Sequence, residues 1–114
     1  MTAYAIAHLR PRQINAEVLD YMERVQGTLD PFGGRFLVHG AVPEVMEGPF
    51  EGTVVVVAFP GIDEARGWYA SPAYQEILPL RTRHLDGEAI LVEGVPADYD
   101  PASTADRLRA AAGL

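Results

Sequence analysis

The spacing of apolar residues switches repeatedly between a period of two and a period of three to four, and the switches mark out the elements. Ala3 to Leu9 alternates, with Tyr4, Ile6 and His8 on one face and Ala3, Ala5, Ala7 and Leu9 on the other. This pattern predicts a strand with one small-residue side, suited to close packing beneath a helix. Pro11 ends it. From Gln13 to Leu29 the apolar positions are Ile14, Val18, Tyr21, Met22, Val25 and Leu29. They form the stripe of an amphipathic helix of about four to five turns. Glu17, Asp20, Glu23 and Arg24 take the wet side, and Pro31 with Gly33-Gly34 stops the helix. A second strand is expected over 35–39, with Arg35, Leu37 and His39 on one face, Phe36 and Val38 on the other, and Gly40 marking a bulge or bend. Residues 44–47 are expected to stay extended until Gly48-Pro49 turns the chain.

The next two strands are apolar on both faces: TVVVVAF over 53–59 and EAILVE over 88–93. Such runs belong to strands covered on both sides. Between them lie two short helices in series. Pro60-Gly61 breaks the strand, Gly61 serves as N-cap, and Asp63 and Glu64 fall in the first turn, where carboxylates favour the helix dipole. Ala65, Trp68 and Tyr69 share a stripe over 62–70. Ser71-Pro72 then restarts a helix over 72–78, with Ser as N-cap and Pro at the first position. Tyr74, Ile77 and Leu78 are its apolar stripe, and Pro79 is expected to break or kink it. Beyond Gly94 and Pro96 the Ala-rich tail, 97–114, has a weak helical pattern over 104–112 that Ser103 would cap.

The order β-α-β-β-α-β predicts one α+β, ferredoxin-like domain over residues 1–96. Connectivity rules make it a four-stranded antiparallel sheet, order 4-1-3-2, with the helices on one face. Two helices cover one face only, yet the third strand is apolar on both. A second copy of the chain is the economical cover, which predicts a homodimer joined through its sheet faces.

Composition removes several function classes. A length of 114 residues is one domain, and it can bury a real core. The net charge of −7, without a basic cluster, argues against nucleic acid as a partner. The absence of Cys removes disulfides, a thiolate nucleophile and Cys-ligated zinc. There is no basic n-region followed by an apolar core, and no apolar run reaches the ~18 residues of a membrane span. The expectation is a cytoplasmic protein with no membrane partner.

The segments GGRFLVHG (33–40), EVMEG (44–48), FPGIDEARGWYASPAYQEILPLR (59–81) and LVEG (91–94) resemble the DUF1330 family over roughly residues 3–95. The specific features are the W-Y-x-S-x-x-Y spacing from Trp68 to Tyr74, closed by Arg81, and the Gly-Gly-Arg with its downstream Glu-Gly. The resemblance implies a dimeric α+β barrel, in which ferredoxin-like domains pair through their sheets. It implies no established activity. Related superfamily members include cofactor-independent monooxygenases, small isomerases and haem-binding barrels. Two departures stand out. Arg10-Pro11-Arg12-Gln13 replaces an Asp-Pro-Glu-like helix start, and His39-Gly40-Ala41 replaces an Arg-Gly-Gly after the second strand, so no role for an Arg carries over to position 39.

Candidate chemistry gathers on few residues. Arg35 and His39, about 13 Å apart on one strand face at ~3.3 Å per residue, would line a pocket with Trp68 and Tyr74. Arg would hold an anionic oxygen and His would serve acid–base chemistry near neutral pH, making these two the weak catalytic candidates. In the competing reading, Arg35 pairs with Glu47 or Glu93 and His39 sits exposed at a bend. Trp68, Tyr69 and Tyr74 read first as core, and alternatively as a flat slot for a small aromatic ligand. Arg35 or Arg81 is then the anion-holding end. Ser71 reads as a helix cap, since no nucleophile elbow surrounds it. His8, His39 and His84 lack metal-ligand spacing, no His stands out as a haem ligand, and Gly33-Gly34 lies in the reverse order to a dinucleotide loop. No cofactor or metal is called for. The residues thus leave open a small-molecule binder, a cofactor-independent monooxygenase or isomerase, and a non-catalytic dimer module.

Overall fold

The computed structural model describes residues 1–11 and 14–114. Its elements run β1 (Ala3–Arg10), α1 (Ala16–Leu29), β2 (Arg35–Val38), β3 (Thr53–Phe59), α2 (Ile62–Ala70), α3 (Pro72–Thr82), β4 (Asp86–Glu93) and α4 (Pro101–Ala112). The strands form one antiparallel sheet in the order β2-β3-β1-β4, the arrangement that the connectivity argument predicts. The domain is α+β and ferredoxin-like.

Register divides the sheet into two faces. Ala5 lies between Val57 and Leu91, and Ala7 between Val55 and Ala89. These residues face α1, α2 and α3. The buried cluster on that side joins Val25 and Leu29 of α1 to Val57, Phe59, Ala65, Trp68, Tyr74 and Ile77. Leu29, Phe59 and Ile77 are fully buried, and each removes enough apolar surface to contribute about 1.5–3 kcal/mol. The other face carries Tyr4, Ile6, Val54, Val56, Ile90 and Val92, and among the described residues α1, α2 and α3 lie on the opposite side of the sheet.

Local chemistry explains the element ends. Asn15 caps α1, its side chain accepting from the Val18 amide at 3.0 Å. The helix therefore starts at Ala16. Of the expected earlier start, Ile14 precedes the cap and is exposed, while Gln13 and its neighbour Arg12 lie outside the described residues. A 3-10 turn over Asp30–Phe32 closes α1, and Gly33 follows it at φ 71°, a left-handed conformation that a side chain would strain. At Gly34 the constraint is space. A Cβ there would come within 2.7 Å of Leu29 Cδ2 and 2.8 Å of Phe59 Cε1, so the Gly-Gly pair lets β2 pass directly over the core.

Three expectations change. Pro79 does not end α3, which continues to Thr82. The ring's fixed φ suits a helix, and the carbonyl it leaves without a donor belongs to exposed Gln75, where water can serve. The second strand stops at Val38 and carries a register shift between Phe36 and Val38, upstream of Gly40. The tail helix begins at Pro101, three residues earlier than its pattern suggests, because Asp100 rather than Ser103 caps it through the Ala102 amide at 2.9 Å. None of α4 is buried.

Candidate functional site

The α2–α3 corner sets the site's outer wall. Ser71 Oγ accepts from the Tyr74 amide at 3.2 Å and donates to the Trp68 carbonyl at 2.7 Å, tying the end of one helix to the start of the next. The chain changes direction there while Trp68 and Tyr74 both turn inward, their ring centroids 4.1 Å apart. Tyr69 joins them, 5.5 Å from Tyr74. The Trp68 indole N–H donates to Thr28 Oγ1 at 3.0 Å, and that hydroxyl donates to the Val25 carbonyl at 2.6 Å. The indole is thus held by α1 from behind, with its polar tip satisfied.

Under this wall lies a partly open cavity of about 360 Å³. Ala5, Ala7 and Ala89 form its floor with Val55, Val57 and Leu91. The alanine stripe that suggested close packing does the opposite here, since short side chains leave the room that larger ones would fill. Val18, Tyr21, Met22 and Val25 of α1 supply the second wall, and Phe36 and His39 the margin beside β2.

One corner of the cavity is polar. The hydroxyls of Tyr21 and Tyr74 are 2.8 Å apart. Arg81 lies beside both, its guanidinium carbon 5.6 Å from the centre of the Tyr21 ring. Burial, reinforced by Tyr74, pushes the Tyr21 hydroxyl's pKa up, so it is neutral at physiological pH. Burial works against the Arg81 charge, but the Tyr74 and Tyr21 hydroxyls outweigh it and the guanidinium pKa is raised.

Of the residues singled out in the sequence, His39, Trp68, Tyr74 and Arg81 come together around this cavity. Arg35 does not. It pairs with Ala58 across the ladder and so projects from the opposite face, beside a shallow depression bordered by Thr2, Gly33 and Pro60. The shared face assigned to Arg35 and His39 fails at Leu37, where the strand carries an extra residue. Val38 pairs with Val56 on the bare face, and His39 swings to the helix side, its ring 4.9 Å from Phe36. Neither Glu47 nor Glu93 forms an ion pair with Arg35; the charged pairs among the described residues involve other arginines. The sequence reading missed Tyr21 as a site residue. Its signal was available, because a tyrosine on a helix's buried stripe must find a partner for its hydroxyl. Among the described residues no group of three His, Asp or Glu side chains converges to hold a metal, and no helix is long and apolar enough to cross a membrane.

A family model for DUF1330, a domain of unknown function, matches residues 2–95. No curated protein matches the chain. Among solved structures the chain is similar to RPA0582, a protein of unknown function from Rhodopseudomonas palustris, at 17% identity and TM-score 0.64, covering 83% of each chain. It is also similar to SnoaB, a cofactor-independent oxygenase from Streptomyces nogalater, at 14% identity and TM-score 0.60, covering 87% of this chain and 98% of that one. An uncharacterized NIPSNAP-like domain protein from Burkholderia xenovorans is similar at 19% identity and TM-score 0.51, over 88% of this chain and 87% of that one. At these identities the likeness is one of fold.

Proposed function

The chain belongs to the DUF1330 family, and from its cavity we propose that it is a small-molecule-binding domain that works as a homodimer. The observation that carries the binding reading is the alanine-floored space of about 360 Å³ between sheet and helices, apolar except at one corner. Ligand sites have this form: concave, mostly apolar, with a few placed polar groups. Native mass spectrometry of freshly purified protein tests it by looking for a retained small molecule. Ala7→Phe fills the floor and should abolish retention. Retention unchanged in Ala7→Phe would move the ligand out of this cavity.

The dimer reading rests on the bare sheet face. Ile6, Val56 and Ile90 lie side by side across three strands, and Ile90 is 54% exposed. The Arg10–Glu88 pair, at 2.7 Å, sits beyond one end of this strip. Apolar residues clustered so on a sheet face call for a partner surface. Symmetric pairing of two copies covers both at once.

A second reading, a cofactor-independent oxygenase or an isomerase, is favoured by one observation: the register shift brings the titratable ring of His39 to the cavity margin. The fold shared with SnoaB is consistent with it but transfers no activity. Oxygen consumption with a dihydroxynaphthalene, compared between wild type and His39→Ala, tests the oxygenase form. Consumption that is absent, or indifferent to the substitution, retires it.

A further inference from the structure

Resting on the small-molecule reading above, we propose that the cavity takes a planar aromatic carboxylic acid, its carboxylate held by Arg81 and a hydroxyl of the Tyr21–Tyr74 pair. The polar corner of the cavity carries a surplus of donors. Two hydroxyls 2.8 Å apart use one proton between them, and the second proton remains to be placed. Arg81 adds five N–H donors and no acceptor. The groups beside it are the two tyrosine oxygens. A corner built this way is short of acceptors, and a carboxylate is an acceptor-only group whose two oxygens match the guanidinium fork.

The charge points the same way. Arg10, Arg24, Arg66, Arg83 and Arg109 each have a carboxylate partner within the chain. Arg81 is paired with none of the described carboxylates, and neither are Arg35 and Arg107. Those two are exposed, so water serves them, whereas Arg81 is half-buried against an apolar cavity. A guanidinium cannot shed its proton, so its partial burial favours a counter-anion from outside the chain.

Shape selects the rest of the molecule. Trp68, Tyr69 and Tyr74 line the cavity on the helix side, Tyr69 the most exposed of the three, and Ala5, Ala7 and Ala89 line it on the sheet side. A space of about 360 Å³ falls in the range of small-molecule sites and admits two fused rings bearing the acid. A flat aromatic ring suits a lining of aromatic and small apolar side chains.

The test is isothermal titration calorimetry with 2-naphthoic acid and its neutral counterpart 2-naphthylmethanol, on the full chain at one protomer concentration. Wild type should bind the acid at least about tenfold tighter than the alcohol, the scale of a charge-assisted pair. Arg81→Met should bring the two to parity by weakening the acid alone. Tyr21→Phe should weaken the acid severalfold and leave the alcohol unchanged. Equal affinities on wild type overturn the anion assignment even if Arg81→Met does not fold. So does a preference for the acid that survives in a folded Arg81→Met. If neither compound binds wild type, the cavity reading falls with the proposal, an outcome separate from binding both alike.

Discussion

Replacing Thr28 by Val removes one hydroxyl from behind the site's central ring and leaves everything else nearly the same size. Thr28 is 7% exposed and Trp68 5% exposed, so no water replaces the lost acceptor. The indole N–H then has no partner, and leaving a buried donor unsatisfied costs about 1–3 kcal/mol. The Val25 carbonyl also loses the hydroxyl's bond, although it is an acceptor in a helix and has a second lone pair. The expected loss is about 2 kcal/mol, or roughly 8 °C in Tm at ~4 °C per kcal/mol for a domain of this size. Part of such a loss would follow from any altered core packing, so a double-mutant cycle with Trp68→Phe isolates the bond. Phe has no N–H to orphan, and Thr28→Val in that background should cost at least 1 kcal/mol less, on the scale of the hydrogen bond's value. Urea unfolding followed by far-UV circular dichroism is the suitable assay, because Trp68 is the only tryptophan and its replacement removes the fluorescence signal. Protomer concentration must be held fixed throughout, since association shifts apparent stability. Equal costs of Thr28→Val in both backgrounds would refute the account of Thr28 as the partner that holds the indole.

Light scattering at micromolar concentration should give twice the chain mass, and Ile90→Asp, a charge on the most exposed part of the bare face's isoleucine–valine row, should reduce it to one. Monomeric wild type would end the covering argument. Gly34→Ala should destabilise the fold by about 1–3 kcal/mol through overpacking against Leu29 and Phe59, read as a lower urea midpoint; an unchanged midpoint would mean that the two side chains move aside freely. The Glu17 carboxylate is held below its usual 4.5, first by its hydrogen bond to His84 and then by Arg83. A carboxylate with a depressed folded value contributes stability above its unfolded value, lost as pH falls through the folded one. Glu17→Gln should therefore flatten the acid limb of a stability–pH curve below about pH 4.5, and an unaltered limb would show that this exposed cluster adds nothing measurable.

Architecture was legible in the sequence because its signals are local and redundant. The TVVVVAF run, the Gly33-Gly34 stop and the Ser71-Pro72 restart each state their element in adjacent residues, and the connection order then leaves little freedom for the sheet. The site was legible only where it inherits those signals. Trp68 and Tyr74 could be placed because the restart between them fixes how their helices meet. Arg35 and His39 could not, since alternation assumes an unbroken ladder and nothing in RFLVH announces an extra residue. The alanine face shows a different gap. A run of small residues states that something can approach closely, but whether a helix does so, or stops short and leaves a cavity, depends on the bulk of Trp68 and Tyr74, on helices α2 and α3 far along the chain. The Arg81 corner, likewise, joins residues sixty positions apart by way of Tyr21, a distance over which spacing in sequence carries no information.

The extra residue in β2 has a consequence for how this strand tolerates changes in length. With Leu37 set aside, Arg35, Phe36, Val38 and His39 already alternate, outer face then cavity face, as an uninterrupted strand would. Deleting Leu37 would straighten the ladder and return the same side chains to the same sides. Deleting Phe36 instead would let the ladder close with Leu37 in its place at the cavity margin, and deleting Val38 would put Leu37 on the outer face. Strand β2 thus holds one spare position at which the chain can lose a residue silently, whereas the same single-codon event at Phe36 would trade an aromatic ring for Leu37 at the cavity margin.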